Sequence, residues 1–80
     1  MDKRKKLLEQ VRNNSKNVDY KDLIKLLELY GFVLISVKGD HYHYQKAGYR
    51  TLTIPSKNPL WLEIVKQVLR MIDEIDELEN

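Results

Sequence analysis

The sequence contains no cysteine among its 80 residues, and this absence excludes several kinds of chemistry at once. Disulfide bonds, thiolate zinc sites and thiol nucleophiles all require that side chain. Because the lack of cysteine is compatible with a reducing compartment, we expect a cytoplasmic location. Histidine is also scarce, since the chain has only His41 and His43. Any acid–base chemistry by an imidazole must therefore come from these two residues.

Long apolar runs are absent as well. No stretch approaches the roughly 18 consecutive apolar residues that a membrane-spanning helix needs. The basic start of the chain, residues 3–6, is not followed by an apolar signal core, so we expect neither a secretory peptide nor a membrane partner. The length predicts one compact domain with a modest core, which buries about 60% of the surface of the unfolded chain.

The net charge of +2 conceals an uneven distribution of charged residues. Residues 1–50 contain 11 Lys or Arg against 6 Asp or Glu, whereas residues 51–80 contain 3 against 6. The positive surplus of the N-terminal part suits a polyanionic partner such as nucleic acid. A charged surface that contacts only water explains the same numbers, so charge alone does not decide between the two interpretations.

Apolar residues recur at helical spacing in three segments, and each begins with a residue suited to a helix start. Asp2 and Asp19 can cap the first two helices, and Pro59 suits the first turn of the third. The first helix is predicted over residues 3–13 and the second up to about Tyr30. The third is expected to carry a continuous apolar face, with Ile75 and Leu78 free to touch a partner. The residues of this face are Trp61, Ile64, Val65, Val68, Met71, Ile72 and Ile75.

Segments rich in β-branched and aromatic residues predict strands over residues 32–37, 41–46 and 49–54. Turns that contain glycine separate them, and Pro55 lacks the N–H that a further ladder bond would need. The element order α-α-β-β-β-α predicts an α+β fold. In it, a small three-stranded antiparallel sheet is covered on one face by helices.

The two histidines lie two residues apart, so a strand places His41 and His43 on the same face. Tyr42 and Tyr44 alternate with them and are the more suitable pair for the core. We therefore expect the histidines on the face that the helices leave open. The side chains expected beside them are Lys38, Arg50, Thr51 and Thr53.

Imidazoles, hydroxyls and cations on one face can act on a phosphodiester. RNA carries its own nucleophile, the 2′-hydroxyl, so a histidine need only remove that proton or deliver one to the leaving 5′-oxygen. Nearby cations would stabilise the charge that develops on phosphorus. No metal ion or other cofactor is expected, because two imidazoles alone are too few ligands for a usual zinc site. Strand histidines without a special role remain the alternative at this point.

The ordered set of elements resembles the HicA toxin family. The resemblance is carried by residues 22–32, 38–44, 52–55 and 65–69, while residues 13–18 resemble extended members with an extra leading helix. Members of that family have a fold like a double-stranded-RNA-binding domain. They cut messenger RNA without a metal ion and are held inactive by a HicB antitoxin. The resemblance thus implies an endoribonuclease of this fold, with mRNA and a HicB-type antitoxin as partners.

The family pattern is Gly-Ser-His followed by two residues and an aromatic residue, and Gly39, His41 and Tyr44 match it. By resemblance, His41 takes the catalytic position and His43 is a candidate helper. Asp40 stands where serine is usual. Its added carboxylate would repel a phosphate, but it could also orient His41.

The loop at residues 56–60 departs from the family's His and Lys-Pro pattern, which leaves fewer phosphate contacts. Two alternatives therefore stay open: a non-catalytic RNA-binding module, and a small interaction domain that uses its C-terminal helix. We expect residues 1–17 to form a leading helix and linker, residues 18–80 to form the HicA-like domain, and the protein to be a monomer or weak dimer. The residues predicted to contact RNA are Lys38, Gly39, Lys46 and Arg50.

Overall fold

The computed structural model describes residues 2–79, which form three helices and one three-stranded antiparallel sheet. The order of these elements confirms the predicted α+β fold, including the extra leading helix. Within this described part of the chain, no helix is both long and apolar enough to cross a membrane. The elements are α1 (Lys3–Asn13), α2 (Tyr20–Leu29), β1 (Val33–Lys38), β2 (His41–Gln45), β3 (Leu52–Pro55) and α3 (Leu62–Glu79).

Aspartate side chains cap the first two helices, as the sequence predicts. Arg4 N–H donates to Asp2 Oδ1 at 2.9 Å, and Lys21 N–H donates to Asp19 Oδ1 at 2.8 Å. Each bond satisfies one of the N–H groups that a helix start leaves without an intrahelical partner. Gly31 follows α2 with a φ of 93°, a left-handed conformation that ends the helix and directs the chain into β1.

Strand β2 lies at the centre of the sheet, between β1 and β3, and pairs antiparallel with both. Gly39 makes the turn between β1 and β2 with a φ of 61°. Tyr42 and Tyr44 pair with Ile54 and Leu52, so these four side chains share the face that packs against the helices. The alternate residues of β2 therefore lie on the opposite face.

The core lies between this covered sheet face and the helices. Burial of a leucine or isoleucine side chain contributes about 1.5–3 kcal/mol, so the most deeply buried side chains supply much of the driving force for folding. Helix α1 adds Leu8 and Val11 to the same core, and the division at residues 1–17 and 18–80 stays a prediction. The side chains less than 2% exposed are Leu23, Leu26, Leu27, Leu52, Ile54, Val65, Val68, Met71 and Ile72.

The third strand begins later than predicted, at Leu52 rather than Tyr49. Residues 46–51 form a connection instead, in which Tyr49 N–H donates to the Lys46 carbonyl at 3.0 Å. This bond closes a turn around Gly48, whose φ is 89°. The backbone of these residues is thereby directed away from the ladder.

The third helix also begins later, at Leu62 rather than near Pro59. Leu60 lies before the helix, where its side chain is buried and its N–H donates to the Val18 carbonyl at 2.9 Å. Trp61 also precedes the helix and is 56% exposed. Its assignment to the apolar face of the helix is therefore wrong.

The two apolar residues expected to be free near the C-terminal end of α3 differ in exposure. Ile75 is buried in the core, so the expectation that it is free to touch a partner is wrong, whereas Leu78 is 75% exposed. Strand β1, at the edge of the sheet, also leaves apolar side chains in contact with water. They are Val33, Leu34, Ile35 and Val37.

Candidate active site

The structure places His41 and His43 on the open face of the sheet, opposite the core. The side chain of His41 is 49% exposed, and His43 is half-buried. Residues paired across an antiparallel ladder share a face, so the neighbours of the histidines follow from the register. These neighbours are Ser36 and Lys38 on β1, and Thr53 and Pro55 on β3.

On this face, His41 contacts the carboxylate of Asp40. The Nδ1 atom of His41 lies 2.9 Å from Asp40 Oδ1, which is hydrogen-bond distance. An ionised carboxylate can only accept, so Nδ1 must carry the hydrogen. In neutral imidazole, the other nitrogen, Nε2, then has the free lone pair. Asp40 thus selects the tautomer in which Nε2 can act as a base.

His43 is held by a different partner. Its Nδ1 lies 2.9 Å from Thr53 Oγ1 on β3, and a hydroxyl can donate or accept in this contact. Two strand residues span about 7 Å, so His41 and His43 can lie on either side of one bound phosphodiester. Among residues 2–79, no group of three or more His, Asp or Glu side chains is placed to hold a metal ion.

The end of the sheet next to the β1–β2 turn is tied together by main-chain contacts. Ser56 N–H donates to the Asp40 carbonyl at 2.8 Å, which joins the loop after β3 to that turn. Gly39 has a positive φ, and apart from the glycine itself and its two chain neighbours no atom lies within 4 Å of where a Cβ would stand. Space above the turn is therefore open. We call residues 38–41 and 55–61 the turn end of the sheet.

Two of the predicted RNA-contacting residues lie elsewhere. Lys46 Nζ is 3.7 Å from Glu79 Oε2, and Arg50 lines an open depression beside the acidic part of α3. Strand β2 rises about 3.3 Å per residue, so about 17 Å separates Lys46 from His41. The structure does not bring Lys46 or Arg50 to the histidines. The other residues of the depression are Arg70, Asp73, Glu74 and Glu77.

This second region, residues 45–51 and 73–79, is the far end of the sheet. Here a basic residue of the N-terminal part contacts the acidic part of α3, because Arg12 forms an ion pair with Asp73. A cation that is paired with a carboxylate in this way is less available to bind a polyanion, although a count of charges in the sequence includes it. The net charge of the N-terminal part therefore overstates the cations present at the open face.

The hydroxyls of Tyr30 and Tyr44 are poor candidates for acid–base chemistry. Burial raises the pKa of Tyr44, and the nearby Glu28 adds to the increase. Burial also raises the pKa of Tyr30, whose hydroxyl donates to Asp76 Oδ2 at 3.3 Å. Both hydroxyls stay protonated at neutral pH and neither belongs to the open face.

Two exposed residues of the turn end were not predicted from the sequence. The Lys57 ammonium lies 4.2 Å from the centre of the Trp61 ring. Pro55, two residues before Lys57, pairs with His41 across the ladder. The loop after β3 therefore begins beside His41. Its place in the sequence, directly after the predicted third strand, is the signal that could have identified Lys57 and Trp61.

The fold and this face define a class: small α+β proteins that present imidazoles on the open side of an antiparallel sheet. The chain belongs to the HicA toxin family, since residues 20–73, more than half of its length, match the family model described as "HicA toxin of bacterial toxin-antitoxin". Neither the curated proteins nor the solved structures gave a significant match. Family membership supports a toxin function of ribonuclease type in general terms.

Proposed function

We propose that the protein is a metal-independent endoribonuclease of the mRNA interferase type, acting in the cytoplasm. The observation that carries the proposal is the 2.9 Å contact between Asp40 and His41 on an open sheet face. A positioned imidazole with a free Nε2 is the group that a general base requires. Family membership supplies the RNA-directed context for that group.

In the proposed reaction, Nε2 of His41 removes the proton of a ribose 2′-hydroxyl. The 2′-oxygen attacks the adjacent phosphorus, the bond from phosphorus to the 5′-oxygen breaks, and a 2′,3′-cyclic phosphate forms. The leaving 5′-oxygen takes a proton from an acid, for which protonated His43 is the candidate helper. General acid–base catalysis of this kind contributes a rate factor of about 10² to 10⁴.

Two features of the turn end support RNA binding beside His41. Lys38 faces His41 across the ladder and is exposed, so its ammonium can contact a phosphate. Gly39 leaves open space above the turn, which allows a backbone phosphate to approach closely. Lys46 and Arg50 could meet RNA only well away from the scissile bond, because they lie at the far end.

The proposal is tested by incubating the purified protein with single-stranded RNA in the presence of EDTA. The wild type should cut the RNA, and His41→Ala should cut it about 10² to 10⁴ times more slowly. His43→Ala, which removes the candidate acid, should also slow cleavage. Gln45→Ala is the matched control on the same face of β2 and should cut at the wild-type rate. Equal cutting by His41→Ala and the wild type would contradict the assignment. Salt-sensitive RNA binding without cleavage by the wild type would select the non-catalytic RNA-binding module instead.

We further propose that a HicB-type antitoxin neutralises the enzyme. The exposed apolar side chains of β1, an edge strand, support a protein partner, because such an edge can pair with a strand of another chain. Addition of the antitoxin should suppress cleavage in the assay above. Undiminished cleavage in a mixture that forms a stable complex would oppose this part of the proposal.

A further inference from the structure

Trp61 is a large aromatic side chain that the core does not use. It is 56% exposed and lines an open depression of about 570 Å³ at the start of helix α3. Indole is a costly side chain to leave in water, and exposed aromatic residues next to cations are typical of surfaces that stack nucleic-acid bases. The other residues of the depression are Leu62, Glu63, Ile64 and Lys66.

Hydrogen bonds hold the backbone on both sides of Trp61. On the preceding side, Leu60 is buried and its N–H donates to the Val18 carbonyl at 2.9 Å. On the following side, the Trp61 carbonyl accepts from the N–H groups of Ile64 and Val65 at 3.0 and 3.2 Å. Because this backbone is already held, it loses little conformational entropy when the ring binds a partner.

A second anchor holds the middle of the same loop. The Asn58 side-chain oxygen accepts a hydrogen bond from Tyr20 N–H at 3.0 Å, at the start of α2. Lys57 stays exposed beside this anchor, and its ammonium lies 4.2 Å from the centre of the Trp61 ring. The loop therefore presents one aromatic ring and one cation together.

Connectivity places this pair near the candidate catalytic histidine. Pro55 pairs with His41, and Lys57 follows Pro55 by two residues, which span about 7 Å at most. The Lys57 side chain then bridges to the Trp61 ring. A strand of RNA whose scissile phosphate lies at His41 would pass this ring within a few nucleotides.

We propose that Trp61 is the stacking platform for an unpaired base of the RNA, with Lys57 bound to an adjacent phosphate. The proposal rests on the RNA-directed function above and adds a binding subsite to it. The Lys57 ammonium lies over the Trp61 ring. When RNA binds, the charge-assisted contact with a phosphate takes its place and the base covers the indole. A base-paired nucleotide cannot stack in this way, so the subsite requires single-stranded RNA.

Trp61 is the only tryptophan of the chain, so its fluorescence reports on this subsite directly. The probe is a single-stranded oligoribonucleotide of about ten nucleotides, within the usual range of binding-site sizes. It is 2′-O-methylated throughout, so that it cannot be cut by attack of a 2′-hydroxyl, and labelled for anisotropy. The emission of the wild type should change on saturation. The duplex of the same sequence should bind more weakly and leave the emission unaltered.

Substitutions separate stacking from general binding. Trp61→Ala should weaken binding of the single strand about 5- to 150-fold, whereas Trp61→Phe should retain most of the affinity. Lys57→Ala should lower the dependence of log affinity on log salt by about 0.7. Leu78→Ala, which removes another exposed apolar side chain at the opposite end of α3, should have no effect.

Tight binding with unchanged tryptophan emission, or unaltered affinity in Trp61→Ala, would overturn the subsite and leave the proposed nuclease standing. A protein that binds no probe and leaves unmodified RNA intact would overturn both. Loss of antitoxin binding in Trp61→Ala with full RNA affinity would assign the ring to a protein interface instead.

Discussion

The two ends of the sheet carry similar charges but use them differently. At the turn end, Asp40 contacts His41, and Lys38 faces the solvent beside it. At the far end, Lys46 lies 3.7 Å from Glu79, the last residue of α3. The carboxylate orients an imidazole at one end and offsets a cation at the other. Location along the strand, rather than charge, separates the candidate site from a structural contact.

Helix α3 accounts for the negative charge that attracts cations to the far end. The helix has 18 residues and is therefore about 27 Å long, enough to run from one end of the sheet to the other. Its C-terminal end carries a partial negative charge and no basic residue in its last turn. Cations from other elements, Arg12 and Lys46, approach the acids there. The turn end, at the start of the same helix, is left with exposed lysines.

The largest difference between the two ends is expected for their carboxylates. Asp40→Asn should lower kcat about 10- to 100-fold, because His41 loses the charged partner that orients it. The same change should lower KM, because a negative charge beside the bound phosphate is removed. Steady-state kinetics on a single-stranded RNA measures both constants.

The matched control for this prediction is Glu79→Gln, which removes one negative charge at the far end. Its kcat and KM should stay within about twofold of the wild type, because Glu79 pairs with Lys46, which lies about 17 Å along the strand from His41, and charges so far apart are largely screened. Equal losses of kcat in the two variants would show that the contact between Asp40 and His41 has no special role.

A smaller difference is expected for the lysines of the two ends. Lys38→Ala should weaken RNA binding about three- to tenfold at low salt and reduce the slope of log affinity against log salt by about 0.7. Lys46→Ala should leave both unchanged and lower the free energy of unfolding by up to about 1 kcal/mol. Salt titrations and urea unfolding measure these effects. A reduced slope in Lys46→Ala would restore that residue to the RNA interface.

The smallest effect concerns alkaline stability. The pKa of Tyr30 is raised above 10.0 in the folded protein by burial and by Asp76. The folded state therefore favours the neutral phenol. This contribution to stability is complete below pH 10 and is lost as the pH rises through the raised pKa. The free energy of unfolding should thus fall less steeply above pH 10 in Tyr30→Phe than in the wild type. Parallel curves would mean that this hydroxyl does not contribute.

Much of the fold could be predicted from the sequence, because the signals were local. The caps at Asp2 and Asp19 are bonds between neighbouring residues, and the alternation in β2 sets which side chains face the core. The conformation of the loop before α3 could not be predicted, since it includes a contact between Leu60 and Val18, which lie far apart in the chain. Trp61 belongs to this loop and is exposed, although its spacing predicts a place on the core face of the helix.

The candidate site was predicted in part for the same reason. The common face of His41 and His43 follows from the period of a strand. The cations near the two histidines depend on the length of the strand and on how α3 packs. The spacing of residues in the sequence predicts neither of these. The sequence therefore predicts Arg50 at the edge of the histidine face, where the structure does not place it, and does not predict Lys57 there.

The chemical form of the cleaved ends tests the central claim most directly. RNA is incubated with the wild type in EDTA, and the termini of the fragments are identified by mass spectrometry. If an imidazole at the turn end activates the 2′-hydroxyl, the fragments should carry 2′,3′-cyclic phosphate and 5′-hydroxyl ends, and His41→Ala should yield them far more slowly. Fragments with 3′-hydroxyl and 5′-phosphate ends would require attack by water and would contradict the account.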